Sequence, residues 1–153
     1  MYESIPKDYE HNLLYRRELR ERCSVDLNFR RTVMVACRDD VLFWLGGFVW
    51  LYEPRPREVN GKLLPKTIPF IPWEHQVPAI LTMREHLSQG DRDVGLEKSR
   101  GEGASWIGVL LALHDWLYVP MSNIIFISRT KEAVDEPENM DALMPKIDWE
   151  LTK

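Results

Sequence analysis

Residues 98–105 combine cations, glycines and a hydroxyl group in an order that could bind phosphate. The stretch reads KSRGEGAS, with Lys98 first, Gly101 and Gly103 in the middle and Ser105 last. Glycines allow a tight turn and a close approach of the backbone to a ligand, and a serine hydroxyl can ligate magnesium beside a phosphate. A P-loop reads G-x-x-x-x-G-K-[ST], and here Ala104 occupies the lysine position. The spacing therefore indicates either a nucleotide site with a relocated lysine or a turn with incidental glycines.

Four side chains could supply what a nucleotide would need beyond the loop backbone. Lys98 has a flexible stem that can fold back over phosphates, and Arg100 is a second cation. At the start of the preceding predicted helix, Gln76 can both donate to and accept from an adenine edge, and the ring of Trp73 can pack on adenine. Taken singly, these two are ordinary as a surface glutamine and a core tryptophan. Together with the loop they favour a nucleotide site.

The elements from Trp73 onward are predicted to alternate between helix and strand. They are a helix over 73–87 closed by Gly90, a strand over 93–99, a helix over 104–118, a strand over 122–130, and a polar loop with a helix in 132–151. This order is typical of an α/β domain with a parallel sheet. The loop would then lie between a strand and the amino end of a helix, where unpaired N–H groups attract phosphate.

The first fifty residues are predicted to be helical. A surface helix over 8–23 carries Leu13, Leu14 and Leu19 as its apolar stripe, and Ser24 is the expected N-cap of a second helix through Cys37. Asp40 would cap a third, buried helix through Trp50. The proline-rich stretch 53–72, with an Asn60-Gly61 turn signal, reads as a connector. The expected organisation is a helical segment 1–52, a connector 53–72 and an α/β domain 73–153.

Composition narrows the class of protein. Lys and Arg number 20 against 24 Asp and Glu. Seven of the acids and three of the lysines lie in 131–153, so the rest of the chain is balanced and shows no basic stripe for gripping nucleic acid by bulk charge. The two cysteines, Cys23 and Cys37, have no metal or redox spacing, and no apolar run is long enough to span a membrane. A soluble intracellular protein is expected.

Other residues with chemical potential give weaker signals. None of the four histidines (His11, His75, His86 and His114) clusters in sequence with acids or cysteines at metal-ligand spacing, so none is assigned a catalytic role. Arg129 ends the second predicted strand, where ligands gather in open α/β sheets. It is either a surface arginine paired with Glu132 or Asp135, or a contact for DNA phosphate or a neighbouring subunit's nucleotide.

Four stretches together resemble the N-terminal ATPase region of the large terminase subunit of tailed phages, a DNA-packaging motor. They are PFIPWEHQ, GLEKSRGEGASW, IIFISRTKEAVD and LMPKIDWEL, within residues 40–151. Some members of that family have a Walker A variant whose lysine opens the loop, as Lys98 does here. The resemblance implies a P-loop NTPase of the α/β class with an incomplete parallel sheet, and it implies ATP and Mg²⁺ as cofactors.

The resemblance also implies individual roles. Lys98 and Arg100 would bind phosphates and serve catalysis, Ser105 would ligate Mg²⁺, and Gln76 would contact adenine. The expected nucleotide-binding set is completed by Trp73, Ser99, Gly101, Glu102, Gly103 and Ala104.

Several features of the family are missing from the sequence. We find no Walker B strand ending in Asp-Glu, no coupling motif and no nuclease carboxylate cluster, which predicts nucleotide binding without significant turnover in a truncated or split motor. The complete motor would drive double-stranded DNA into a capsid in the host cytoplasm. Its partners would be the portal protein, the small terminase subunit and copies of the same chain. The alternatives are a partner-docking module with a decayed loop and part of a helicase-like DNA repair ATPase.

Overall fold

The computed structural model describes residues 2–59, 61–90, 93–99 and 101–153, which form two compact units. The first unit ends at Ile71 and also takes in Thr152 and Lys153, and the second is Pro72–Leu151. Among the described residues, no helix has the length and apolar character needed to cross a membrane.

Three helices of the first unit each follow an aspartate that caps them. After a 3-10 turn at Tyr2–Ser4 they are α1 (Tyr9–Val25), α2 (Leu27–Asp39) and α3 (Val41–Phe48). The carboxylates of Asp8, Asp26 and Asp40 accept hydrogen bonds from first-turn N–H groups at 2.9–3.0 Å. The predicted cap at Asp40 is confirmed. The predicted cap at Ser24 is wrong, because Ser24 lies in the last turn of α1 and donates to a carbonyl there.

The third helix is buried, as its apolar run predicts. All residues of Val41–Gly47 are buried. At Gly46 an added Cβ would lie 3.2 Å from Cδ1 of Ile5, so the glycine permits this close contact. The helix ends at Phe48 and not at the predicted Trp50, because the chain there enters strand β1 (Trp50–Tyr52).

The predicted connector contains three of the four strands found in the described residues. These are β2 (Glu58–Val59), β3 (Lys62–Leu63) and β4 (Thr67–Pro69). Strand β1 pairs antiparallel with β4, and β2 pairs antiparallel with β3. Gly61 adopts φ +75° in the turn between β2 and β3, which favours glycine, whereas Asn60 of the predicted turn lies outside the described residues. The stretch therefore folds as part of the first unit.

The face that α1 buries is partly polar. Asn12, Arg16 and Leu19 are its buried residues, whereas Leu14 of the predicted apolar stripe is 46% exposed. The side chains of Asn12 and Arg16 donate hydrogen bonds to main-chain carbonyl oxygens at the end of α3. The apolar stripe predicted for this helix is therefore only partly right.

The second unit is built around one apolar helix. Its helices are α4 (Gln76–Gln89), α5 (Ala104–Tyr118), α6 (Lys131–Val134) and α7 (Met144–Leu151). The predicted bounds of α5 are confirmed, and so is the end of α4 at Gly90, which adopts φ +65°. The core of this unit includes Leu110 and Leu111 of α5 and Ile80 of α4, all fully buried.

The strands predicted at 93–99 and 122–130 are not formed in the described residues. Both sheets of the described chain are two-stranded, antiparallel and confined to 50–69. A strand needs a hydrogen-bonded neighbour, and neither segment has one there. Ile125 and Ile127 are accordingly 84% and 86% exposed, where the prediction placed them in a buried strand. The parallel sheet is thus not found, and the P-loop NTPase fold stays a prediction.

We expect these exposed isoleucines to make the protein self-associate, because an unpaired, apolar, β-prone segment is a template for pairing between chains. The double change Ile125→Lys and Ile127→Lys should weaken self-association about tenfold or more, given that burying one such side chain contributes about 1.5–3 kcal/mol. Sedimentation equilibrium measures this effect. Val25→Lys is the matched control, because Val25 is also 84% exposed but lies at the end of α1. Equal weakening by the control would contradict the prediction.

Candidate phosphate-binding loop

The loop before α5 adopts a conformation that depends on its glycines. Gly101 has φ +92°, and Gly103, the N-cap of α5, has φ +70°. Positive φ is strained for other residues, so the sequence prediction of a glycine-dependent turn is confirmed. No side chain of the N-cap residue binds the first turn of α5. The amino end of a helix of fifteen residues attracts anions through the helix dipole.

Gln76 fastens this loop to the start of α4. It is only 6% exposed, and its Nε2 donates to the carbonyl oxygen of Glu102 at 3.0 Å, while its Oε1 accepts from the main-chain N–H of Trp73 at 2.9 Å. A Cβ at Gly103 would lie 3.5 Å from the same Nε2. An adenine edge would have to share or replace these bonds. The adenine contact predicted for Gln76 therefore stays a prediction, and the structure gives this residue an anchoring role that sequence reasoning missed.

The carboxylate of Glu102 connects the loop to a histidine. Its Oε2 lies 2.8 Å from Nε2 of His75, and its Oε1 accepts a hydrogen bond from Oγ of Ser99 at 2.9 Å. Hydrogen bonding by His75 first, and by Ser99 second, lowers the pKa of Glu102 from its ordinary value. No histidine has metal-ligand spacing in the sequence, and the sequence did not predict this pair, because folding joins residues that are 27 positions apart. Sequence spacing held no signal for this contact.

The ring of Trp73 lies beside His75 and is partly exposed to solvent. Its ring centroid is 5.4 Å from that of His75 at an interplanar angle of 37°, and the residue is 47% exposed. An exposed aromatic face of this kind can stack on a planar base. The structure thus brings Trp73, Gln76 and the loop together, as the sequence predicts.

Of the residues predicted to contact phosphate and metal, Lys98 and Ser105 are more exposed to solvent than Gln76. Lys98 is exposed, and its charge acts on Glu102. Ser105 is exposed in the first turn of α5, next to Ala104 at the start of the helix. Arg100, the second predicted cation, lies outside the described residues. Within the described ranges no group of three His, Cys, Asp or Glu side chains could hold a metal ion.

Two further cations of the second unit have structural roles. Lys146 of α7 is 2% exposed, and its Nζ donates to two main-chain carbonyl oxygens at 2.7 Å and lies 5.5 Å from the ring centroid of Trp106. Burial lowers its pKa from the ordinary value. Arg84 of α4 forms an ion pair with Asp115 of α5. The ion pair joins α4 to α5, and the contact of Lys146 with Trp106 joins α7 to α5. Side-chain contacts therefore fix the helices next to the loop.

The region after α5 shows no arrangement for hydrolysis in its described residues. Asp135 and Glu136 are adjacent acids, but they follow the short helix α6 and not a strand. Arg129 is exposed just before that helix. The predicted lack of a Walker B strand stays a prediction, and the role of Arg129 stays open between its two interpretations.

The chain matches no protein-family model, no curated protein and no solved structure.

Proposed function

We propose that the loop around residues 98–105 binds the phosphates of ATP with Mg²⁺, as part of a DNA-packaging motor like the large terminase subunit. The observation that carries this proposal is the loop geometry. Gly101 and Gly103 have positive φ, Gly103 is the N-cap of α5 without a side-chain cap bond, and Lys98 lies ahead of them on the same loop. Unpaired N–H groups together with a cation are the two features that bind phosphate in such loops.

The proposal assigns the remaining groups by position. Lys98 and Arg100 pair with phosphate oxygens, Ser105 ligates Mg²⁺, and Trp73 stacks on adenine, with Gln76 at its edge. In the complete motor, ATP hydrolysis drives double-stranded DNA into the capsid in the host cytoplasm. The portal protein, the small subunit and copies of the same chain are its partners.

Magnesium-dependent binding of a fluorescent ATP analogue tests this function. We expect saturable binding that requires Mg²⁺. Ser105→Ala should lower the affinity about three- to tenfold, because it removes one polar contact that contributes about as much as a hydrogen bond. Ser128→Ala is the control, since Ser128 is an exposed serine of the same unit outside the loop. Absence of binding to the parent protein, or equal losses in both variants, would reject the proposal.

A second candidate function follows from the exposed apolar segment. Ile125 and Ile127 are exposed where a sheet strand was predicted, which favours a non-catalytic module that docks on a partner. Such a module would self-associate or bind a partner without any affinity for ATP. The titration above therefore separates the two functions.

A further inference from the structure

Glu102 is a residue whose position in the loop needs an explanation. It immediately precedes the N-cap of α5, and three of its atoms are held. Its two carboxylate oxygens bind His75 and Ser99, and its carbonyl oxygen binds Gln76. Two of these partners lie at the start of α4, and one lies on the loop itself. These three contacts, the Glu102 clamp, therefore fix the residue both from the start of α4 and from the loop.

A carboxylate at this point would otherwise oppose the binding of phosphate. It carries the same sign of charge as the ligand, and it is attracted to the same unpaired N–H groups of the helix. The contacts with His75 and Ser99 satisfy both oxygens instead. The charged groups that act on Glu102 among the described residues are His75 and Lys98. Because Lys98 is also the proposed phosphate contact, the carboxylate competes with the ligand for it.

We propose that Glu102 is a positioning residue of the loop, and that His75 sets the affinity of the loop for phosphate by holding the Glu102 carboxylate away from the end of α5. The expected effect on affinity rests on the proposed function, because that function supplies the ligand. The expected effect on the order of the loop rests only on the contacts of Glu102 with His75, Ser99 and Gln76. The sequence predicts Glu102 as part of the nucleotide-binding set, whereas in this inference Glu102 and His75 act by positioning the loop and not by touching the nucleotide.

Titration of Mg·ATP into four forms of the whole chain tests the affinity. The forms are the parent, His75→Phe, Glu102→Gln and the double variant. Phenylalanine keeps a ring beside Trp73 and removes the N–H that binds Glu102, while glutamine removes the charge, keeps the shape of the side chain and turns one acceptor oxygen into an NH2 donor. We expect His75→Phe to weaken binding about fivefold and Glu102→Gln to strengthen it about fivefold, as one nearby charge in a partly screened site would do. In the Glu102→Gln background, His75→Phe should change affinity by less than about twofold.

Amide hydrogen exchange of the nucleotide-free chain tests the clamp separately. We expect the amides of residues 99, 101 and 102 to exchange faster in His75→Phe, by about fivefold or more, because a local contact that orders the loop is lost. His11→Phe is the matched control: Nδ1 of His11 lies 2.7 Å from Oδ1 of Asp8, a histidine–acid pair in the other unit. This control should leave both ATP affinity and loop exchange unchanged.

The two proposals fail in different ways. If His75→Phe weakens binding equally with and without the Glu102 charge, or leaves loop exchange unchanged, the inference is overturned. If the parent binds no ATP, the proposed function and the effect on affinity both fail, while loop exchange still decides whether Glu102 positions the loop. If the parent binds ATP and His75→Phe binds ATP with the affinity of the parent, the function stands and the inference fails.

Discussion

Arg16→Leu is expected to destabilise the first unit by about 1.5–3 kcal/mol or more, since hydrogen bonds from a charged group contribute about 1.5–3 kcal/mol and are lost together here. The carbonyls of Gly46 and Val49 each keep a second donor, Nδ2 of Asn12 and the N–H of Phe70. Arg16 is 2% exposed. Its Nη1 donates to the carbonyl of Val49 at 2.9 Å, and its Nη2 donates to those of Gly46 at 2.8 Å and Phe70 at 3.3 Å. One guanidinium thus joins the end of α3 to the residue that follows β4. Leucine can fill part of the volume but satisfies none of these oxygens.

Urea unfolding followed by circular dichroism, with amide exchange of α1 and α3 as the local probe, measures this loss. Arg16→Lys should fall between the parent and Arg16→Leu, because an ammonium group lacks the planar fork that reaches several carbonyls. Arg17→Leu is the matched control on the next residue of α1. Arg17 is exposed, and its 3.7 Å ion pair with Glu21 contributes at most about 1 kcal/mol. If Arg16→Leu melted like Arg17→Leu, the role assigned to Arg16 would be wrong.

The importance of Arg16 could not be predicted from the sequence. An arginine on a charged helix is normally exposed, and the carbonyl partners Gly46, Val49 and Phe70 lie 30 or more positions further along the chain. The helix itself was predictable, because the aspartate ahead of it and its helix-forming residues act locally. Local signals therefore located α1, while the identity of its buried face depended on contacts that only the fold creates.

The strand predictions failed for a related reason. The run NIIFI has strong strand propensity, yet a strand is stable only when another strand pairs with it, and the described residues provide no neighbour. Conversely, the proline-rich stretch 53–72 was predicted to be a connector, but a hairpin forms around Gly61 and Pro69 ends a strand. Proline is tolerated at strand ends, so proline content alone does not exclude short strands.

In the candidate site, backbone conformation was more predictable than side-chain contacts. Glycines at 101 and 103 follow a pattern that requires unusual dihedral angles, and the structure has positive φ at both. The bond from Gln76 to the loop and the pair formed by His75 and Glu102 depend on the packing of α4 beside α5. A single sequence contains no spacing rule for such contacts.

Lys98→Ala is expected to weaken the binding of Mg·ATP about ten- to a hundredfold, because a charge-assisted contact with phosphate contributes about 1.5–3 kcal/mol. Lys98 is an exposed cation on the loop ahead of α5. Ala104, at the position where a P-loop carries its lysine, has no side chain able to reach the ligand. We therefore expect the phosphate-pairing charge to come from the start of the loop.

The size of this effect across variants separates a relocated lysine from general charge attraction. Arg100→Ala should weaken binding less than Lys98→Ala, and Ala104→Ser should change it little. Lys131→Ala is the control, since it removes an exposed cation of the same unit at the start of α6. A long-range charge effect would lower affinity in Lys131→Ala as much as in Lys98→Ala and would respond to salt alike in both. A direct contact instead confines the large loss to Lys98→Ala. Affinity in Lys98→Ala equal to that of the parent, with circular dichroism unchanged, would show that the lysine at the head of the loop does not pair with phosphate.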